Sequence, residues 1–240
     1  MAEPIYSRIL LKLSGETLKG NLEHGYDPDS CRKAAARIKS IIDRGVQVAI
    51  VVGAGNIWRG GRAGSMMNRV DADKMGMLAT AMNALMLKNV FTDLGVDVLL
   101  QCAIPMSGFL PVYEKDNAIA ALNQGKLVIF AGGTGNPFFT TDTASTLRAL
   151  ETSCDAVLKA TQVDGVYSAD PKKCPDAVRY NELDYSEALE KQLKVMDSAA
   201  FSLCREHNRP IVVFDFYAAD LDKVLSGDTS AGTIVRNCKA

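Results

Sequence analysis

Lys126-Leu127-Val128-Ile129-Phe130, then Gly132-Gly133-Thr134-Gly135-Asn136-Pro137-Phe138-Phe139-Thr140-Thr141-Asp142, then Ala144 to Glu151, read in order as a buried strand, a loop and a helix. The first segment is a short continuous apolar run, the pattern of a strand covered on both faces. The loop therefore stands at the carboxyl end of a strand, where open α/β sheets bind ligands. Its glycines let backbone approach a ligand closely. Its threonine hydroxyls, and the free N–H groups of the helix start, hold anions. A tight turn with a helix cap would need neither the paired phenylalanines nor so many hydroxyls. The stretch reads as a binding loop.

The same rhythm runs outward along the chain. Strands are expected at Ile5 to Leu13, Val46 to Val52, Val96 to Cys102, Lys126 to Phe130, Ala156 to Thr161, Ile211 to Phe216 and Thr233 to Arg236. Between the first two, Cys31, Ala34, Ala35, Ile38, Ile41 and Ile42 recur at a helical period, with Asp27 as N-cap, Pro28 in the first turn and Gly45 beyond the end. A longer helix is expected from about Asp73 to Leu94, its methionines (Met75, Met77, Met82, Met86) serving as packing. The alternation predicts an α/β three-layer sandwich: a mainly parallel central sheet covered by helices on both faces. Residues Asp164 to Leu183 interrupt it with Asp-Gly, Asp-Pro and Cys-Pro, the mark of a turn or hairpin excursion. No repeat or linker is seen. The chain reads as one domain, 1–240, with lobes of roughly 1–155 and 156–240 sharing one sheet and Lys12 to Gly15 at their junction.

Composition narrows the function. With 240 residues, 48% of them hydrophobic, the chain buries a substantial core. A net charge of -1 argues against a nucleic-acid surface and gives no reason to expect binding to an acidic membrane. No apolar run reaches the ~20 residues that span a bilayer, and Met1-Ala2-Glu3-Pro4 does not open a signal peptide. Cys31, Cys102, Cys154, Cys174, Cys204 and Cys238 are scattered and form no Cys-x-x-Cys pair, as expected of reduced thiols in a cytoplasmic protein. Two histidines, His24 and His207, leave no histidine-based zinc site.

Three further loops follow strands. Leu11-Lys12-Leu13-Ser14-Gly15-Glu16 places an ammonium at the end of an apolar strand, where an anion repays its desolvation. Gly53-Ala54-Gly55-Asn56-Ile57-Trp58-Arg59-Gly60-Gly61 is a second small-residue loop, with an arginine. Lys159-Ala160-Thr161-Gln162-Val163-Asp164-Gly165-Val166-Tyr167-Ser168-Ala169-Asp170-Pro171 again sets a lysine at a strand end, with a tyrosine to flank a base and Asp170 to accept from a ribose hydroxyl. Each alone is weak. Together they surround one sheet edge with phosphate-binding groups. No Gly-x-x-x-x-Gly-Lys-Ser/Thr occurs, nor a protein-kinase glycine loop with a later His-Arg-Asp. A dinucleotide fingerprint starting at Gly53 would need glycine where Trp58 stands.

These motifs resemble a known family. Lys12-Leu13-Ser14-Gly15, Gly55-Asn56 with Arg59-Gly60, Asn68-Arg69-Val70, Met75-Gly76-Met77, Thr134 to Asp142, Lys159-Ala160-Thr161 through Asp170-Pro171, and Leu193-Lys194-Val195-Met196-Asp197 are similar to the bacterial-type UMP kinases of the amino-acid kinase superfamily. The resemblance covers nearly the whole chain. The Gly-Thr-Gly-Asn-Pro-Phe-Phe-Thr-Thr-Asp string separates those kinases from acetylglutamate, aspartate and carbamate kinases of the same fold.

The resemblance implies ATP and UMP as substrates, UDP and ADP as products, and Mg²⁺ with the ATP. It implies a catalytic set of Lys12, Asp142, Lys159 and Asp197, with Lys12 against the transferring phosphate and the two aspartates orienting lysines or Mg²⁺-bound water. It puts Lys12, Leu13, Ser14, Gly15, Gly55, Arg59, Thr161, Tyr167 and Asp170 on the ATP side. It puts Ala54, Asp73, Thr134, Gly135, Asn136, Pro137, Phe138, Phe139, Thr140 and Thr141 on the UMP side, Asp73 taking the ribose hydroxyls. The acceptor lobe is then the first and the ATP lobe the second. No residue is assigned as a direct metal ligand. Homohexamers built from dimers are implied, with GTP and UTP as effectors left open because residues 20–25 differ from those of activated relatives. One departure concerns Ala54, where many relatives carry a third glycine; a positive φ there would strain alanine. Two other readings compete: a related kinase with a carboxylate acceptor, and a non-catalytic nucleotide sensor or metal-storage protein on the same fold.

Overall fold

A computed structural model describes residues 3–59, 67–171, 173–193 and 195–237. Gly60 and Gly61 of the second loop, Lys194 of the Leu193 to Asp197 string, and Cys238 lie outside the described residues. Strands β1 (Arg8–Leu13), β2 (Gln47–Val52), β3 (Val98–Cys102), β4 (Leu127–Ala131), β5 (Ala156–Thr161), β6 (Glu182–Asp184), β7 (Ile211–Asp215) and β8 (Thr233–Arg236) form one sheet in the order β3-β4-β2-β1-β5-β7-β8-β6. Every pairing is parallel except β7 with β8. Chain order reverses at β1, which has β2 on one side and β5 on the other; such a reversal opens a crevice at the carboxyl ends.

The central strands read as apolar runs because both faces are covered. In β1, Ile9, Leu11 and Leu13 pack into one layer with helix α2 (Pro28–Ile42) and helix α3 (Arg69–Asp93), while Leu10 enters the other layer with α4 (Lys115–Asn123), α5 (Thr141–Glu151) and α7 (Ser198–Glu206). Each fully buried leucine or isoleucine contributes about 2 kcal/mol. Alternation then puts Lys12, two residues after Leu10, on the α5 side. In β5, Val157 faces that layer and Lys159 follows it two residues on.

The strands match their expected spans, shortened by one to three residues at an end in several cases. One was missed: β6, three residues long, forms after the interruption at 164–183. That interruption is a hairpin excursion, with Tyr167 and Arg179 bridged in antiparallel fashion and Tyr180 N bonded to Val166 O. The Asp27 cap of α2 forms through Ser30 N. Helix α3 starts earlier than expected, capped by Asn68 on Asp71 N. Of its methionines, Met77 is buried and Met86 packs on the core, but Met75 and Met82 are exposed, correcting their reading as packing. With Leu78 and Leu85 they make a stripe at 3-4-3 spacing. The small helices α1 (Glu16–Lys19), α6 (Tyr185–Glu190) and α8 (Leu221–Leu225) complete the fold. Cys31, Cys102, Cys154, Cys174 and Cys204 are free thiols, and no described helix is long and apolar enough to cross a membrane.

Candidate active site

Lys12 and Lys159 stand opposite one another in the β1–β5 register, so two ammonium groups converge on the same side of the sheet. They are held there by Asp142, whose Oδ1 lies 2.9 Å from Lys12 Nζ and whose Oδ2 accepts from Lys159 Nζ at 2.7 Å. Lys159 also donates to Val195 O at 2.6 Å. Asp142 sits in the first turn of α5, where the helix dipole favours a carboxylate. Burial pushes its pKa up, but the charges of Lys12 and Lys159 outweigh burial and hold it below the usual carboxylate range. Burial and the neighbouring Lys12 lower the Lys159 pKa against the pull of Asp142. The cluster carries one more cation than anion, a net positive charge at the end of β1 and β5.

Thr140 caps α5, its hydroxyl accepting from Asp142 N at 3.0 Å. Asp197 approaches from the start of α7, which it caps through Ala200 N. It accepts hydrogen bonds from the hydroxyls of Thr140 and Thr143, the latter at 2.8 and 2.9 Å. Asp197 therefore ties α7 to the α5 start through hydroxyls rather than through a lysine.

Beside this cluster, between α3 and the loop after β4, lies a cavity of about 350 Å³. Ala54, Asp73, Thr134, Asn136, Phe139, Thr140 and Thr141, seven of the residues that the resemblance puts on the UMP side, share its wall. Gly135, Pro137 and Phe138 are not in its wall; they shape the loop. Gly132 takes a φ of 78° and packs so close that a Cβ would lie 2.9 Å from Cys102 Sγ, which only glycine accommodates. Phe138 takes a positive φ of 72°, and its N–H donates to Asp73 Oδ2 at 2.8 Å. Asp73 also accepts from Arg69 Nε. Ala54 is not among the positive-φ residues, so its methyl group is accommodated without strain. Sequence reading missed Trp58, Gly76, Met77 and Thr80 in this wall. Gly76 and Met77 stood in a quoted motif without a role, and neither the hydroxyl of Thr80 nor the one tryptophan is spaced to mark a cavity wall.

On the other side of the lysines a cavity of about 560 Å³ is lined by Lys159, Thr161, Tyr167 and Asp170, with Gln192, Leu193 and Val195 opposite. Tyr167 Oη donates to Asp164 Oδ1 at 2.6 Å. Gln192 takes a φ of 52°, and this wall was not foreseen, since nothing in Lys191-Gln192-Leu193 marks a pocket. Ser14 and Gly15 lie between the cavities at the end of β1. The Leu13 side chain is fully buried and its carbonyl accepts from Gly53 N at 2.9 Å. Gly55 packs near Glu16, and Arg59 pairs with Glu16 and donates to Gly55 O. A third cavity, about 630 Å³, lies at the opposite sheet edge around Tyr6, Asn208 and Pro210, away from these charges. Among the described residues no group of three or more His, Cys, Asp or Glu side chains is placed to hold a metal.

Residues 7–215 match the model of the amino acid kinase family. The chain is 54% identical over 213 residues to the uridylate kinase of Paramagnetospirillum magneticum, covering 88% of this chain and 89% of that one. It is 50% identical over 239 residues to the uridylate kinase of Aliivibrio fischeri, covering 99% and 98%. Among solved structures, the UMP kinase of Bacillus anthracis superposes with a TM-score of 0.94 at 38% identity, covering 98% of this chain and 97% of that one.

Proposed function

Since this chain belongs to the amino acid kinase family and, within it, to the uridylate kinases, we propose how its two cavities and paired lysines divide the work of one reaction. The protein is an enzyme, a nucleoside monophosphate kinase that phosphorylates UMP at the expense of ATP. UMP occupies the α3 cavity and ATP the cavity walled by Thr161, Tyr167 and Asp170. The observation that carries this allocation is the position of Lys12 and Lys159 between the two cavities, bridged by Asp142.

In-line phosphoryl transfer asks chiefly for positioning and charge neutralisation. Lys12 meets the charge on the passing phosphoryl group, and the Ser14 and Gly15 backbone holds ATP phosphates. Asp142 aims both ammonium groups, Lys159 anchors Asp142, and Asp197 sets the hydroxyls of Thr140 and Thr143. The acceptor is already an anionic phosphate, so no general base is assigned. Asp73 and residues 134–141 orient UMP. Mg²⁺ prefers phosphates, waters and one or two carboxylates to an all-protein cage, and a cleft with Asp142 and Asp197 as its nearby carboxylates fits an ion carried in by ATP. When bound, that ion would supply neutralisation of phosphate charge, and Asp142 and Asp197 are the residues that would hold its waters.

The acceptor lobe is then 1–155 and the ATP lobe 156–240, with Lys12 to Gly15 at their junction. The exposed Met75, Leu78, Met82 and Leu85 stripe supports self-association through α3, in a homohexamer built from dimers. We place the reaction in pyrimidine nucleotide biosynthesis in the cytoplasm. An ADP-release assay with ATP, Mg²⁺ and UMP, CMP, dUMP, AMP or acetylglutamate tests the proposal, and adding GTP or UTP tests the effectors. Turnover confined to UMP is expected. Turnover with acetylglutamate alone, or with none of the acceptors, overturns the reading.

A further inference from the structure

Asn56, in the loop after β2, and Asn83, on α3, are 1% and 0% exposed, beneath the seam where two phosphate loops meet. Their amides bond reciprocally: Asn56 Nδ2 donates to Asn83 Oδ1 at 3.0 Å, and Asn83 Nδ2 to Asn56 Oδ1 at 2.8 Å. Each amide spends its second hydrogen on a main-chain carbonyl. Asn83 donates to Gly53 O at 2.7 Å and Asn56 to Gly25 O at 3.0 Å. The pair is fully satisfied, and a carboxamide is the group that donates twice and accepts at once. A buried network of that kind fixes geometry more than it adds stability.

The loop after β1 rests directly on this pair. Gly15 has ordinary helical φ, yet a Cβ there would lie 2.4 Å from Asn56 Oδ1, 2.7 Å from Gly53 O and 2.8 Å from Gly55 N. No slack separates Gly15 from Asn56 and the Gly53 carbonyl that Asn83 holds. One helical turn before Asn83, Thr80 Oγ1 accepts from Gly132 N at 2.9 Å and so fixes the base of the UMP loop from the same helix.

Resting on the UMP kinase reading, we propose that Asn83 is a positioning residue for phosphoryl transfer. Acting through Asn56 and Gly53, it sets the spacing between the β1 loop at Gly15 and the β2 loop at Gly53 to Asn56. It touches neither nucleotide. Its effect falls on the transition state, where misplacement by ~1 Å costs on the order of 10²-fold in rate.

The test is Asn83→Asp in the full chain. The volume is unchanged, but a carboxylate cannot donate to Gly53 O or Asn56 Oδ1. The expected result is a fall in kcat of about 10²-fold. UMP affinity, read without turnover from the fluorescence of Trp58, the one tryptophan and part of the UMP cavity wall, should change by less than about threefold. A merely structural role predicts a loss of activity that follows the loss of folded protein. Tyr185→Phe calibrates that case, removing the part-buried bond to Arg209 O outside both cavity walls, and should lower Tm at unchanged kcat. Folded Asn83→Asp with kcat within about twofold of the parent overturns the inference. Should Asn83→Asp fail to fold, Asn56→Leu/Asn83→Leu decides, since it removes both halves of the reciprocal amide pair; it also strips the amide donors from Gly53 O and Gly25 O, so its rate is read per folded molecule. A folded double variant with parental kcat overturns the proposal; a low kcat at retained UMP affinity supports it. A parent protein silent with UMP sinks the reading of the reaction itself, a different result from an active parent with an equally active variant.

Discussion

The ends of β1 and β5 carry the same residue at the same register and hold it differently. Lys159 is fixed from two directions, by Asp142 and by the Val195 carbonyl. Lys12 meets Asp142 and leads straight into Ser14 and Gly15, where a phosphate would rest. The difference separates two uses of one chemical group. One ammonium serves as an anchor that keeps a carboxylate ionised and oriented. The other, in the proposed reaction, is aimed by that carboxylate at the transferring charge. On the proposed reading, identical side chains on neighbouring strands do unequal work because the groups that hold them differ.

The strongest way to break this comparison is to remove each lysine in turn. Lys12→Ala should lower kcat by ~10²-fold or more, as expected for a group aimed at transition-state charge, with the fold intact. Each variant strips one partner from buried Asp142, but Lys159→Ala also leaves Val195 O without its donor and should lower thermal stability more than Lys12→Ala does. Circular-dichroism melts beside the ADP-release assay read both quantities. If the two variants lose rate alike and neither loses Tm, the lysines are equivalent and the division of labour is wrong.

Asp142→Asn sharpens the same contrast through pH. Two ammonium groups would then face each other without the intervening negative charge, and stability at neutral pH should fall by about 3 kcal/mol. The sign follows from the depressed pKa of Asp142. Its contribution is complete above the unfolded carboxyl value of 3.8 and disappears as pH falls through the lower folded value. The stability gap between parent and Asp142→Asn, measured by urea unfolding, should therefore be constant from pH 7 to about pH 5 and close below 3.8. A gap that persists unchanged into acid would mean that the ionised carboxylate is not what holds the pair.

How far the sequence reveals this arrangement depends on what carries the signal. Continuous apolar strands and the glycine-rich loops after them are local patterns, so the parallel sheet and the carboxyl-edge site were legible before any coordinates. The pairing of Lys12 with Lys159 was not, because register is decided by pairing across the sheet between residues far apart in the chain. Met77 and Thr80 escaped because on α3 an apolar or hydroxyl side chain at a pocket wall is spaced like one in the core, and Trp58 because a single ring in the loop after β2 has no spacing to read. Strand β6 escaped because three residues, Glu182-Leu183-Asp184, are too few to show alternation. The exposed methionine and leucine stripe of α3 hid for the opposite reason: the helix is apolar on more than one face, so periodicity does not say which face is inside.

The smallest expected effect lies on the ATP side and tests whether that cavity is held as firmly as the lysine cluster. Its tyrosine works through two parts, a ring that walls the cavity and a hydroxyl that donates to Asp164. Asp164 also faces Arg179, so the hydroxyl helps close the hairpin excursion rather than reach a nucleotide. An exposed bond between side chains contributes little, and Tyr167→Phe should raise the KM for ATP by less than about threefold with kcat unchanged. Tyr167→Ala removes the ring as well, and stacking of a base on an aromatic side chain is worth ~1–3 kcal/mol, so its KM for ATP should rise about tenfold. Steady-state kinetics at saturating UMP separate the two. A larger loss for Tyr167→Phe than for Tyr167→Ala would show that the hydroxyl, and not the ring, is what ATP meets, and would place this wall on the same polar footing as the α5 start.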